Sequence, residues 1–338
     1  MPLVSVVQTV AWCFHDMDDD ARIVITGVGF CTGLGSDPVA SIARGETAIC
    51  ESEDLNELPH RLAARVDRID LKAWLKRRKD RKLMARPSQL ALAAAGLALN
   101  NWGGDTDSLG LFVGVGREPG DDGESEPSLV AAQVDGLLDE ASVAGACRDL
   151  YPPLLPLKTL PNMALAHVSI HLDVRGDNGT WCGGASAGLM ALRAAIWSIR
   201  EGRSVGALVL AADSWVSAGC VRDLLRMSKG GPIDSPGEAG VALLVESVAS
   251  AKARGADILA DVDVHRGTEM PRSRTHHPHL GDCKAADALL ALALRVGHGS
   301  DREIFAAEET GQPRVAVSLG HDESVACYAD ERKGINNV

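Results

Sequence analysis

The sequence predicts an α/β protein, and three observations predict it. Ile23-Val24-Ile25-Thr26-Gly27-Val28-Gly29 is a β-branched run closed by glycines, the pattern of a buried strand entering a loop. Gln89 to Leu99 (QLALAAAGLAL) is rich in Ala and Leu and long enough for a buried helix. From Gly179 to Ala211 the chain reads as strand, Gly-rich turn, helix and strand, a βαβ unit whose turn faces the carboxyl ends of the strands.

The remaining elements follow in order. Leu109 to Val115 is a second buried strand ending at Gly116, and Arg117 to Glu126, with five acidic residues and two glycines, is a polar surface loop. Asn162-Met163-Ala164 leads a helical run through His167 and His171. Gly179 to Gly184 is a strand running into a tight turn, Leu189 to Arg200 has helical spacing, and Val205 to Ala211 is another buried strand. After a loop from Lys229 to Pro236, Glu238 to Glu246 and Ala256 to Val264 are read as a strand pair joined by the basic segment Ser250 to Arg254. A helix from Ala285 to Arg295 and a strand near Val315 to Leu319 complete the pattern.

Composition narrows the function classes. With 338 residues and a net charge of −12, the chain offers no general attraction to phosphate backbones or anionic lipid. Aromatic residues at 4%, with two Tyr, argue against base stacking, whereas 35 Gly suit close helix–sheet packing. The eight cysteines (Cys13, Cys31, Cys50, Cys147, Cys182, Cys220, Cys283 and Cys327) form no CxxC pair, so reduced thiols and a cytoplasmic setting are expected. No run approaches the ~18 apolar residues of a membrane span, so no membrane insertion is expected. Residues 1–21 lack a basic start and run into Asp18-Asp19-Asp20, which reads as an N-terminal extension rather than a signal peptide.

Several motifs together resemble the β-ketoacyl-acyl-carrier-protein synthases. Arg22 to Gly29 with Thr32-Gly33-Leu34-Gly35 is similar to that family's opening strand and loop, and Asp80-Arg81-Lys82-Leu83-Met84 with the Ala-rich helix to its dimer-flanking segment. Leu160-Pro161-Asn162-Met163, Ala166 to Ile170 and Arg175-Gly176-Asp177-Asn178 resemble the stretch ahead of the active-site strand. Gly237 to Val241 with Ala251 to Ala256 resembles the start of the second half. The resemblance implies a thiolase-like fold: two packed βαβαβ halves in an α-β-α-β-α layering, residues 22–235 and 236–338, the second half shortened.

That family's chemistry uses a cysteine thiolate at a helix N-terminus, where the helix dipole and backbone N–H groups lower its pKa, and two histidines opposite. Aligning Arg175 to Thr180 at one end and Gly188 at the other puts the nucleophile position on Ala185, whose methyl group cannot form a thioester. Cys182, three residues upstream, reads as a packed core thiol. Ala307-Glu308-Glu309-Thr310-Gly311-Gln312-Pro313 matches the family's first histidine loop and sets Glu308 on the histidine. The segment holding the second histidine is missing, and Val317 to Ser324 resembles a degraded terminal loop; a rival alignment places Pro278 on that histidine. Gly184, Gly188, Leu319 and Gly320 are the expected binding residues.

Other patterns have competing readings. Gly184-Ala185-Ser186-Ala187-Gly188 spells GxSxG, so Ser186 is a candidate hydrolase nucleophile with His276, His277, His279, His298 or His321 as base. The plainer reading makes Ser186 a helix cap. His276, His277 and His279 with Asp282 and Cys283 suggest a metal cluster, but a solvated loop is the better account, and no metal or cofactor is expected. Lys72, Lys76, Arg77, Arg78, Lys79, Arg81 and Lys82 form a basic run that either docks an acidic carrier protein or lines a solvated helix face. His167 and His171 read as structural. TGVGFCTGLG departs from the dinucleotide spacing and is set aside. The expectation is a synthase-like chain without the condensing Cys-His-His set, similar in logic to chain-length factors. It would be a partner or scaffold in fatty acid or polyketide-type biosynthesis, as a homodimer or a heterodimer with a complete ketosynthase and with acyl carrier protein as a further partner. The alternative is an acyltransferase, decarboxylase or acyl hydrolase using Ser186 or Cys182.

Overall fold

Eight strands hydrogen-bond side by side in the computed structural model, which describes residues 22–100, 102–116, 123–229, 231–264, 277–296, 303–307 and 315–320. In chain order the sheet strands are β1 (Ile23–Thr32), β2 (Leu109–Val115), β3 (Asn178–Cys182), β4 (Gly206–Ser214), β5 (Glu238–Ser247), β6 (Ala260–Val264), β7 (Glu303–Ala307) and β8 (Val315–Gly320). The spatial order is β7-β8-β6-β1-β5-β4-β2-β3, with β2 parallel to β3 and β4 and every other neighbour antiparallel.

The principal helices are α1 (Arg86–Leu99), α2 (Met163–Leu172), α3 (Ala187–Arg200), α4 (Val248–Arg254) and α5 (Asp287–Ala293). β4 is buried along its whole length, and its side chains alternate between two cores. Leu208, Leu210 and Ala212 join the core under α1, while Ala207, Val209 and Ala211 join the core under α3 and α5. An apolar strand without alternation is what a sheet covered on both faces requires. The glycines set the helix–sheet spacing: a Cβ at Gly29 would run into the carbonyl of Ala94, and one at Gly240 into that of Leu90. α1 therefore lies almost on the strand backbone, and its alanines fit that gap.

The expected strand pair does not form. β5 and β6 lie on opposite sides of β1, and the basic segment between them is the helix α4, ended by Gly255 at φ +69°. The five-stranded part β3-β2-β4-β5-β1 continues through β6 into β8 and β7 as one sheet. Residues 126–158 leave the sheet as a separate excursion: helix Glu126–Ala131, the small hairpin Gln133–Val134 with Leu137–Leu138, helix Glu140–Leu150, and a short turn of helix at Leu155–Lys158.

Candidate functional site

The turn from β3 into α3 is built by close backbone approach. Gly183 N–H donates to the Val115 carbonyl at 3.0 Å and Ala187 N–H to that of Gly184 at 3.0 Å. Gly114 on β2 has no room for a side chain because a Cβ would meet the backbone of Ala187 and Gly188. At Gly188 a Cβ would meet Leu289 and Ala211. The start of α3 is thus clamped between β2, β4 and α5, in the place where an α/β fold sets its chemistry.

Ala185 sits in that turn, half-buried, and packs against the α3/α5 core. Trp181 and Met190 pack against the same core, and Leu319 is buried within it. Ser186 is 2% exposed and occupies the N-cap position of α3, but its backbone is already helical and its hydroxyl makes no capping bond, so the capping role is not realised. Among the described residues no hydrogen bond joins Ser186 to a histidine. Cys182 is not a packed core thiol: it ends β3, is exposed, and its thiol donates to the Gly116 carbonyl at 3.3 Å. Sequence missed this because β3 is an edge strand, pairing with β2 alone among the described residues.

The expected binding residues do not converge on one cavity. Gly188 is enclosed in the first turn of α3, Leu319 faces the core from β8 opposite Val262, and Gly320 pairs with Asp261. Gly184 stays in the turn itself. Glu308, His276, His298 and His321 lie outside the described residues. His277 and His279 are described, with ring centres 5.5 Å apart, and the His279 carbonyl accepts from Ala48 N–H at 2.8 Å. Among the described residues no group of three His, Cys, Asp or Glu is arranged to hold a metal ion.

Beneath the turn lies a set of buried acids that sequence reasoning missed. Asp213, at the end of β4, accepts from Ser214 N–H, Ala285 N–H and Trp215 Nε1–H at 2.9, 3.2 and 3.1 Å. Burial outweighs these three donors and pushes its carboxyl up to about 6. Asp287, beside Asp282, is raised well above the ordinary carboxylate range by burial and then by that neighbouring charge, while Lys284 helps hold Asp282 low. The neighbouring Cys283 thiol, enclosed by Asp287, Asp282, Glu238 and Asp213, is raised well above its usual range by burial first. It is therefore no nucleophile.

Two larger hollows open elsewhere. One of about 520 Å³ lies beside the edge strand β3, lined by Phe112, Trp181, Met190, Arg193, Trp197 and Arg203 among others. The other, about 1360 Å³, has a partly apolar floor that includes Ile69, Leu71, Met84 and Val216. Nine cationic side chains line it against three acidic ones, so a chain that is acidic overall presents one concentrated basic cleft. Its wall includes Arg78, Lys79, Arg81 and Lys82, from the basic run. That run is not an α-helical face: only Arg78–Leu83 is helical, as a 3₁₀ turn, with Asp80 buried beneath Arg77. The α-helical face expected of the run does not form, and Asp80 within it turns inward.

The sequence model of the β-ketoacyl synthase N-terminal domain matches residues 20–233. The chain is 24% identical over 280 residues to 3-oxoacyl-[acyl-carrier-protein] synthase 2 of Staphylococcus aureus, covering 73% of this chain and 62% of that protein. It is 30% identical over 269 residues to nodulation protein E of Rhizobium leguminosarum bv. trifolii, covering 72% and 62%. It thus spans just over six-tenths of the length of these relatives. Among solved structures, the ishigamide ketosynthase/chain length factor matches with TM-score 0.65 at 20% identity, over 88% of this chain and 98% of that one. A type II polyketide synthase acyl-carrier protein in complex with its ketosynthase matches with TM-score 0.65 at 16% identity, over 89% and 99%. At these identities the likeness is one of fold, and the fold is the thiolase-like one. No helix among the described residues is long and apolar enough to cross a membrane. With the family's N-terminal domain covering well over half of its length, this chain belongs to the β-ketoacyl synthase family.

Proposed function

We propose that this chain is a non-condensing member of its family, a partner subunit that pairs with a second ketosynthase-fold chain in acyl-carrier-protein-dependent fatty acid or polyketide-type biosynthesis. The observation that carries the reading is Ala185 at the start of α3. A methyl group there can neither be deprotonated nor attack a thioester, whatever the helix dipole and backbone offer.

The partner reading rests on what the excursion leaves uncovered. Eight large apolar side chains between Leu129 and Leu157 are exposed, Leu137 at 76%, and helix Glu140–Leu150 buries none of its residues in this chain. Leaving a large apolar side chain in water forgoes about 1.5–3 kcal/mol of burial, so a concentration of this kind is the mark of a protein interface. The occupant we assign is a complete ketosynthase, or a second copy of this chain. The basic cleft suits an acidic carrier protein.

Light scattering on the purified chain, alone and co-expressed with a complete ketosynthase of the same organism, tests this reading. A dimer is expected in one of the two samples, and replacing Leu137→Asp with Leu138→Asp should return it to monomer. A wild-type chain that stays monomeric in both samples would remove the partner reading.

A further inference from the structure

The basic wall of the large cleft is fastened to the body of the protein by two imidazoles. His167 and His171 project one turn apart from α2, both buried, with rings stacked at 6.1 Å and 9° between planes. They grip the basic segment near both ends. At one end Lys76 N–H donates to His171 Nδ1 at 3.3 Å; at the other His167 Nε2 donates to the Leu83 carbonyl at 3.2 Å. These two bonds fix the protonation pattern. His171 must be neutral with Nδ1 bare to accept from an amide, and a second positive ring stacked on the first would be repelled.

We propose that His171, with His167, is a proton-operated latch that holds the cationic wall of the cleft in place at neutral pH and lets it go in acid. The proposal rests on the reading of that cleft as the dock for an acidic carrier, whose grip the latch would regulate. Protonating Nδ1 turns the acceptor into a donor facing the Lys76 N–H, so the bond is lost outright. The groups facing the pair set the balance. Asp80, its Oδ2 3.9 Å from His171 Nε2, favours the charged ring, but it is already bound by Arg77. Lys76 and Arg77 oppose a new charge, with Lys76 itself paired to Asp173 at 2.6 Å. From α1, packed against α2, the one charged side chain is Arg86, and it is bound to Glu238. Burial adds to the opposition and holds both rings below the usual histidine range. The latch therefore opens only at a pH below the ordinary histidine range.

Amide hydrogen exchange of the segment 72–84 in the free chain, at pH 7.5 and 5.5 and corrected for intrinsic rate, tests the latch. Protection at Lys76 should fall several-fold on acidification, because protonation of the ring is coupled to loss of the bond. His171→Asn keeps an acceptor at the Nδ1 position and cannot be protonated, so its protection should be the same at both pH values. Flat protection in the wild type, or an equal fall in His171→Asn, overturns the proposal. Should that variant not fold, the wild-type His171 ring is titrated by NMR. It must titrate below 6.5 together with the Lys76 amide, and an ordinary or uncoupled titration overturns the latch. Because exchange is read without a partner, a separate titration at pH 7.5 with purified acyl carrier protein that shows no binding removes the docking reading alone.

Discussion

Replacing Arg254 with methionine is expected to cost about 3–5 kcal/mol of folding stability, the loss seen when one partner of a buried ion pair is removed. Glu246, at the end of β5, is fully buried, and Arg254 on α4 reaches back to it with Nε and a terminal nitrogen at 3.0 and 2.5 Å. The same guanidinium donates to Thr26 Oγ1 and to the Trp102 carbonyl, both at 3.0 Å, and stacks 5.0 Å from the Trp102 ring centre. Without it Glu246 keeps, among the described residues, only the hydroxyls of Thr26 and Ser250, at 2.6 and 2.7 Å. Two neutral donors do not compensate a desolvated carboxylate. Urea denaturation of Arg254→Met beside the double variant with Glu246→Met measures the effect. The double variant should recover much of the loss, and a single variant within about 1 kcal/mol of wild type would show that the pair contributes little.

The second large effect is a pH dependence. The folded-state pKa of Asp213 is raised from 3.8 to about 6, so folding penalises the ionised form. The penalty is absent below the unfolded pKa, grows as pH rises, and is complete above about 6. At ~1.4 kcal/mol per unit it reaches about 3 kcal/mol. Asp213→Asn offers one oxygen where the carboxylate serves three donors and sets an amide NH₂ against one N–H, so it is destabilised at every pH. What distinguishes the variant is slope. Between pH 4 and 7 wild-type stability should fall relative to the variant by about 2 kcal/mol, and parallel curves would show that Asp213 does not titrate in this window.

Much of the sheet was legible because buried strands and short helices have separate signatures. Ile23–Gly29, Leu109–Val115 and the Gly179 to Ala211 unit appear where their β-branched runs and glycines place them. Pairing was less legible. β5 and β6 read as neighbours because they follow one another, whereas β1, from the far end of the chain, separates them. Local pattern carries no information about a strand more than two hundred residues away. The excursion at 126–158 gave little signal either, since Ala132 and Leu155 are buried but most of its large apolar residues stay exposed, and helix Glu140–Leu150 buries none of its residues. At the candidate site the turn was readable from its glycines and Ala185 was singled out by the resemblance to the synthases, but the acids beneath were not readable. Asp213, Glu238, Asp282 and Asp287 come from two strands and a connecting loop with its helix, and only the fold brings them together.

On the proposed reading the chain carries no acyl group, because Ala185 stands where the family's nucleophile is expected. Intact-mass spectrometry after incubation with a long-chain acyl carrier protein tests it most directly, with a complete ketosynthase run in parallel as the chain that gains the adduct. The mass of this protein is expected to stay unchanged. A stoichiometric acyl adduct, mapped to Cys182 or Ser186, would contradict it.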